Sequence, residues 1–146
     1  MGSFVKLRRK LKTFLGMSSA DRWLVCEAIV MLGMARFIVT TVSFRLVAPW
    51  LSRASYTRSY DEALLPRVRQ AVMTAARNVP WNAVCLPQAI AAKAMLTRRG
   101  CRSSLHLGAD LNAQGKLTAH AWLVAGDTVV VGAAGISCVT PLARFG

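Results

Sequence analysis

The stretch CLPQAIAAKAML, residues 85–96, decides the fold of this chain. Its alanines favour a helix that begins at Cys85 and stops at Gly100, after basic residues in its last turn. Further along, TAHAWLV at residues 118–124 places His120 in the middle of a strand-like segment. The sequence therefore predicts a cysteine at a helix N-terminus, followed by a histidine on a strand.

The residues after Gly100 predict a small antiparallel sheet. Residues 104–111 alternate between two faces, so that His106 and Asp110 share one face of a half-buried strand. A second strand is predicted over 116–125, and Gly126-Asp127 forms a tight hairpin into a third strand over 128–131. The tail, residues 132–146, is expected to be irregular. Helices followed by antiparallel strands make an α+β fold.

The N-terminal part of the chain predicts helices. Ser18-Ser19-Ala20-Asp21 resembles a capping box and starts a helix expected from about Ser19 to Val42. That helix is apolar nearly all round, so either the rest of the domain or a partner must cover it. Charged residues interrupt the apolar run 23–51 at Glu27, Arg36 and Arg45. A packed helix is expected, and no stable membrane span.

Residues that interrupt helices divide the chain into segments. A linker is predicted over 48–55, and an amphipathic helix over 67–77. We expect residues 1–55 to form an apolar and basic helical region and residues 56–146 to form the catalytic core. Together they are expected to make one compact domain.

Charge and cysteine content restrict the function classes. The chain has 146 residues with 19 Lys and Arg against 6 Asp and Glu, a formal charge of +13 that favours an acidic partner. Its four cysteines show no C-x-x-C spacing, which is typical of a reduced cytoplasmic protein. No phosphate-binding loop or metal-ligand cluster is recognisable, so no cofactor is expected.

Cys85 is the predicted nucleophile and His120 its base. The positive end of a helix dipole favours a thiolate at the first helical position, and an imidazole held against it completes the ion pair. The other cysteines are expected to be small buried hydrophobes: Cys26, Cys101 and Cys138. His106 is expected at the strand surface and Trp122 in the core.

Four segments carry a closer resemblance to a known family: Pro80-Trp81 before Cys85-Leu86, Arg98-Arg99-Gly100, His120-Ala121-Trp122, and Pro141-Leu142-Ala143-Arg144-Phe145. In this order they resemble the lasso peptide biosynthesis B proteins in their split leader-peptidase form. The resemblance implies a transglutaminase-like, papain-like cysteine protease.

This family resemblance implies a specific reaction. The enzyme would remove the leader of a ribosomally made lasso peptide precursor, so that an ATP-dependent cyclase can close the macrolactam. At this length there is no room for a fused recognition domain, which implies a separate leader-binding protein. The precursor, that protein and the cyclase are the expected partners.

The third catalytic residue is where the chain departs from the family. The usual position of the acid is occupied by Gly132 or its neighbours. Asp127 is the one acid after His120 and is the candidate for orienting it, with Asp110 as a rival. A backbone carbonyl or an amide side chain remains a further alternative for this role.

Other function classes predict different sequence features. A nucleic-acid-binding protein should interleave aromatic residues with its basic run, but only Phe4 and Phe14 lie near it, so no nucleic acid is expected. A membrane-anchored protein would use residues 23–51 as an interfacial segment. Within the same fold, acyl transfer to an amine is an alternative to hydrolysis.

Overall fold

The computed structural model describes residues 2–52, 61–111, 113–133 and 140–145. Within these ranges helices come first and strands follow, which confirms the predicted α+β class. The helices are α1 (Gly2–Leu15), α2 (Ser19–Thr41), α3 (Phe44–Leu51), α4 (Leu64–Asn78) and α5 (Cys85–Arg98). The strands are β1 (Ser104–Leu111), β2 (Leu117–Ala125), β3 (Thr128–Val131) and β4 (Thr140–Phe145).

Helix α2 begins with the predicted cap. The Ser18 hydroxyl oxygen accepts a hydrogen bond of 3.1 Å from the backbone N–H of Asp21, which satisfies one of the first-turn donors. The helix buries one face in the core: Leu24, Val25, Ala28, Leu32 and Ala35. Glu27 binds Arg99 at the end of α5, with an oxygen–nitrogen distance of 2.6 Å. A charge that interrupts the apolar run therefore joins α2 to α5.

The opposite face of α2 is not covered by the described part of the chain. By length and composition alone the helix could cross a membrane, since an 18-residue window in it has a mean hydropathy of 1.8. Only 28% of that window is buried. The helix is thus a core helix on one side and an apolar surface on the other.

The described strands form one antiparallel sheet in the order β3-β2-β1-β4. Leu105 of β1 lies opposite Leu123 of β2, and Leu107 lies opposite Ala121. These residues belong to the same apolar core as Ile90 of α5, so this face of the sheet packs on the helices. The strand predicted over residues 104–111 is confirmed, but its burial does not alternate as expected, since Ser104 and Gly108 are buried and Leu111 is 64% exposed.

Two expectations about irregular segments were wrong. The tail contains β4, which pairs with β1 so that Phe145 lies opposite Leu105. Pro141 has no N–H to donate, but β4 is an edge strand and tolerates the loss. The linker predicted over 48–55 begins late, because α3 continues to the fully buried Leu51. Residues 53–60 lie outside the described ranges.

The core does not stop at the predicted boundary between residues 55 and 56. One cluster of buried side chains includes Leu32 of α2 and Leu51 of α3 together with residues of α4, α5 and the sheet. The division into 1–55 and 56–146 stays a prediction.

Candidate active site

Cys85 is the first residue of α5 and is half-buried. Its thiol lies against β2, with Sγ 3.9 Å from the carbonyl oxygen of Ala119, to which it donates a weak hydrogen bond. Ala119 immediately precedes His120. The fold therefore brings the two residues singled out in the sequence to the same corner, where the start of α5 meets β2.

The N-terminus of α5 carries no side-chain cap. Val84 occupies the N-cap position, which is usually filled by Ser, Thr, Asp or Asn, and it makes no capping hydrogen bond. Pro87 has no N–H, so the first-turn donors without an intrahelical acceptor are the backbone amides of Cys85 and Leu86. By contrast, Ser18 caps α2. Uncapped amides beside a thiol are suited to stabilise an oxyanion.

Contacts from other elements fix the segment before Cys85. Arg36 of α2 donates a hydrogen bond of 3.0 Å from Nη1 to the carbonyl oxygen of Asn82. The side-chain amide of Gln88 donates to the carbonyl oxygen of Ala83. The ring of Trp81 packs over Gly33, where a Cβ would lie 3.7 Å from it. The contacts of Arg36 and Trp81 could not be predicted from the sequence, since each joins residues that are far apart along the chain.

His120 lies on β2 directly opposite Gly108 of β1. Strand alternation puts His120 on the same sheet face as Trp122, whereas Ala121 is buried in the core on the other face. Gly108 is buried, whereas His120 is half-buried. Within the described residues its side chain makes no hydrogen bond. By this alternation the imidazole is on the sheet face opposite the one that packs on α5, and the described residues show no hydrogen bond between His120 and Cys85.

A stacked pair of rings supports the His120 face. His106 of β1 stacks on Trp122 of β2 with ring centroids 5.5 Å apart and an interplanar angle of 13°. Burial, and secondarily the charge of Arg144, lowers the pKa of His106. His106 was expected at the surface, but its ring is half-buried. Trp122 is buried, as predicted.

The acids of the chain have distinct environments. Asp21 is paired with Arg67 and Glu27 with Arg99. Asp61 accepts a hydrogen bond from the backbone N–H of Ala63 near the start of α4. Glu62 and Asp127 are exposed. Only Asp110 lies on the sheet face that carries His120.

The strand register allows a comparison of the two candidates for the third catalytic residue. Asp127 lies in the turn beyond the end of β2, and that end, at Ala125, is about 17 Å along the strand from His120 at about 3.3 Å per residue. Asp110 pairs with Thr118, two residues before His120 and on the same face. Diagonal neighbours of this kind lie about 7 Å apart, within reach of a carboxylate and an imidazole. The role of Asp127 stays a prediction, and the geometry favours Asp110.

Position 132 has no space for a side chain. Gly132 has a φ of 82°, and a Cβ there would lie 2.4 Å from the carbonyl oxygen of Ala121 and 2.8 Å from Trp122. In this conformation position 132 accepts only glycine. Of the positions at which the sequence resemblance would place the acid, Gly132 or its neighbours, position 132 itself is therefore closed to an acid.

The remaining cysteines differ from one another. Cys101 is fully buried, as predicted, and burial raises the pKa of its thiol. Cys26 is exposed on α2, so the prediction that it is a buried hydrophobe was wrong. In a helix that is apolar nearly all round, the sequence pattern does not indicate which face is buried. Cys138 lies outside the described residues. No group of three metal-ligating side chains was found among the residues that the structure describes.

Comparison with known proteins identifies the superfamily of the chain. Residues 28–144 match the family model described as the transglutaminase-like superfamily, which includes cysteine proteases and transferases. No curated protein and no solved structure matched the chain. The match begins inside α2 and extends into β4, so it includes both Cys85 and His120. The chain belongs to the transglutaminase-like superfamily.

Proposed function

We propose that this protein is a cysteine protease that removes the leader peptide from a lasso peptide precursor before macrolactam cyclisation. One observation carries the proposal: the Cys85 thiol sits at an uncapped helix N-terminus, against the strand residue that precedes His120. The superfamily match supports cysteine-based acyl chemistry in general. The specific substrate follows from the sequence resemblance to the B proteins.

The residues present account for each step of a peptide hydrolysis. His120 takes the proton of Cys85, and the thiolate attacks the scissile carbonyl carbon to form a tetrahedral oxyanion, which the amides of Cys85 and Leu86 stabilise. The C–N bond breaks as the imidazolium protonates the leaving amine, which is the new N-terminus of the core peptide. Water, deprotonated by His120, then hydrolyses the thioester and releases the leader as a carboxylate.

The first step requires a change of hydrogen-bond partner. In the free protein the thiol donates to the carbonyl oxygen of Ala119. Attack requires the proton of Cys85 to pass to His120, whose side chain makes no competing hydrogen bond within the described residues. Hydrogen bonds at catalytic sites are often long before substrate binds. The proposal therefore requires the side chain of His120 to approach Cys85 when substrate binds at this corner.

Asp110 is our candidate for orienting His120. It occupies the diagonal position on the same sheet face, where a carboxylate would hold the imidazole and stabilise its protonated form. Asp127 remains the alternative that the sequence favours.

The expected partners belong to this proposal. A separate leader-binding protein would deliver the precursor, and the ATP-dependent cyclase would take the product. The basic surface, with a formal charge of +13, fits an acidic partner. We place the protein in the cytoplasm, in keeping with the free thiols of Cys26, Cys85 and Cys101.

Mass spectrometry of the cognate precursor tests the proposal. The precursor is incubated with the leader-binding protein and with wild type, Cys85→Ala or Cys26→Ala. Cys26→Ala is the matched control, because it removes an exposed thiol away from the site. We expect wild type and Cys26→Ala to release the leader with a gain of one water, and Cys85→Ala to release none. Equal cleavage by Cys85→Ala would overturn the mechanism, and a leader product joined to an added amine would indicate acyl transfer instead.

A further inference from the structure

The outer face of α2 carries an apolar stripe. Trp23, Val30 and Phe37 recur at every seventh position, and their side chains are 77%, 59% and 65% exposed. A spacing of seven residues is close to two helical turns, so the three lie in one line. The stripe is on the opposite side of α2 from the buried residues Ala28 and Leu32. The core needs only one face of this helix, and the other remains uncovered by the described chain.

Helix α3 widens this surface on one side. A groove of about 520 Å³ separates α3 from α2 and is lined mainly by apolar side chains, Met34 and Ile38 among them. At its outer edge Leu46 is 75% exposed and Trp50 is 41% exposed. Exposed apolar groups on two adjacent helices form a patch that water solvates poorly.

Helix α1 supplies positive charge on the other side. Its residues Arg9 and Lys10 line a groove of about 440 Å³ together with Val25 and Ile29 of α2. Arg8, Arg9, Lys10 and Lys12 are all exposed. The acids of this helical layer, Asp21 and Glu27, are already neutralised by arginines of α4 and α5. The rim of the patch is therefore strongly cationic.

We propose that the outer face of α1, α2 and α3 binds an anionic phospholipid surface. An apolar centre that contains Trp and Phe, bordered by Lys and Arg, matches the acyl and headgroup layers of a membrane interface. The negative surface potential of an anionic leaflet attracts each lysine and arginine that lies near it. Helix α2 lies in the interface and does not span the bilayer, because its inner face is packed in the core.

Vesicle flotation tests this inference independently of the peptidase assay. The full chain is floated with vesicles of phosphatidylcholine alone and of phosphatidylcholine mixed with phosphatidylglycerol. We expect binding to the mixed vesicles, little binding to the neutral ones, and loss at about 0.5 M salt, where charges are screened beyond a few ångströms. Tryptophan emission should shift to shorter wavelength on binding, as Trp23 and Trp50 leave water.

Matched variants locate the surface. Trp23→Ser with Phe37→Ser should weaken binding at least about tenfold, since two exposed aromatic side chains no longer enter the membrane. The control, Leu117→Ser with Leu142→Ser, changes side chains that are 67% and 70% exposed on β2 and β4 and should bind like wild type. Absence of flotation, or equal loss in the control, would overturn the inference. The inference would also be overturned if the Trp23/Phe37 double variant disrupted a dimer, or a complex with the leader-binding protein, but still bound vesicles like wild type.

Discussion

Asp110 on β1 and His120 on β2 lie on the same face of the sheet, one diagonal step apart, because Asp110 pairs with Thr118 and Gly108 pairs with His120. No other acid of the chain shares that face with the histidine. This relationship yields the first prediction.

Asp110→Asn should lower kcat for leader cleavage about tenfold and leave KM nearly unchanged, because the imidazolium loses the carboxylate that orients it. Asp110→Glu should restore part of the activity, which a purely structural defect would not allow. Asp127→Asn, in the exposed turn, is the control and should retain the wild-type rate. The reverse pattern would assign the role to Asp127. Initial rates with the leader-binding protein present provide the measurement.

Gly132→Ala should destabilise the protein by about 3 kcal/mol, since it combines a strained φ with a Cβ that collides with backbone. Gly115→Ala is the matched control: its φ of 73° is similar, but nothing lies within 4 Å of the added Cβ. It should cost only about 1 kcal/mol. Urea unfolding of both variants measures the difference. Equal losses would show that the contact with Ala121 relaxes freely.

Glu27→Gln should reduce the free energy of unfolding by about 2 kcal/mol, because Arg99 loses a charged partner whose side chain is only 16% exposed. The hydrogen bond to Glu27 raises the pKa of Arg99, so the arginine stays charged at every accessible pH. Glu62→Gln, on an exposed acid, should change stability by less than about 0.5 kcal/mol. Chemical denaturation at neutral pH compares the two. A Glu27 variant as stable as wild type would show that this pair contributes little.

Acidification should weaken the fold through His106. Burial lowers its pKa below the ordinary 6.5, so the unfolded chain binds the proton more readily than the folded one. The contribution of His106 to the free energy of unfolding is therefore fully present above pH 6.5. It is lost as the pH falls towards the lowered pKa of His106 in the folded protein. Thermal unfolding should show a shallower decline for His106→Gln than for wild type. His120→Gln is the control, and the argument fails if both variants behave alike.

Local sequence signals were sufficient for much of the fold. The capping box fixed the start of α2, and the Gly126-Asp127 turn fixed the hairpin, because both depend on neighbouring residues. Strand β4 escaped prediction because Thr140–Phe145 contains a proline and becomes a strand only by pairing with β1, far away in the chain. Formation of such a strand depends on a partner that local periodicity does not reveal.

The site was predictable in part for the same reason. Cys85 and His120 could be chosen from their places on a helix start and a strand. The supports of the site could not, because Arg36 looked like an interruption of an apolar run until its contact with Asn82 was known. The choice between Asp127 and Asp110 depends on strand register, which is set by the packed sheet.

The close approach at Gly132 also constrains how this enzyme can change by mutation. A single substitution that places an acid at position 132 meets the Ala121 carbonyl and costs stability before it contributes anything to catalysis. An acid fits at position 132 only if a second substitution first moves the end of β3 away from β2. Position 132 is therefore restricted to glycine for as long as the end of β3 keeps its place beside β2.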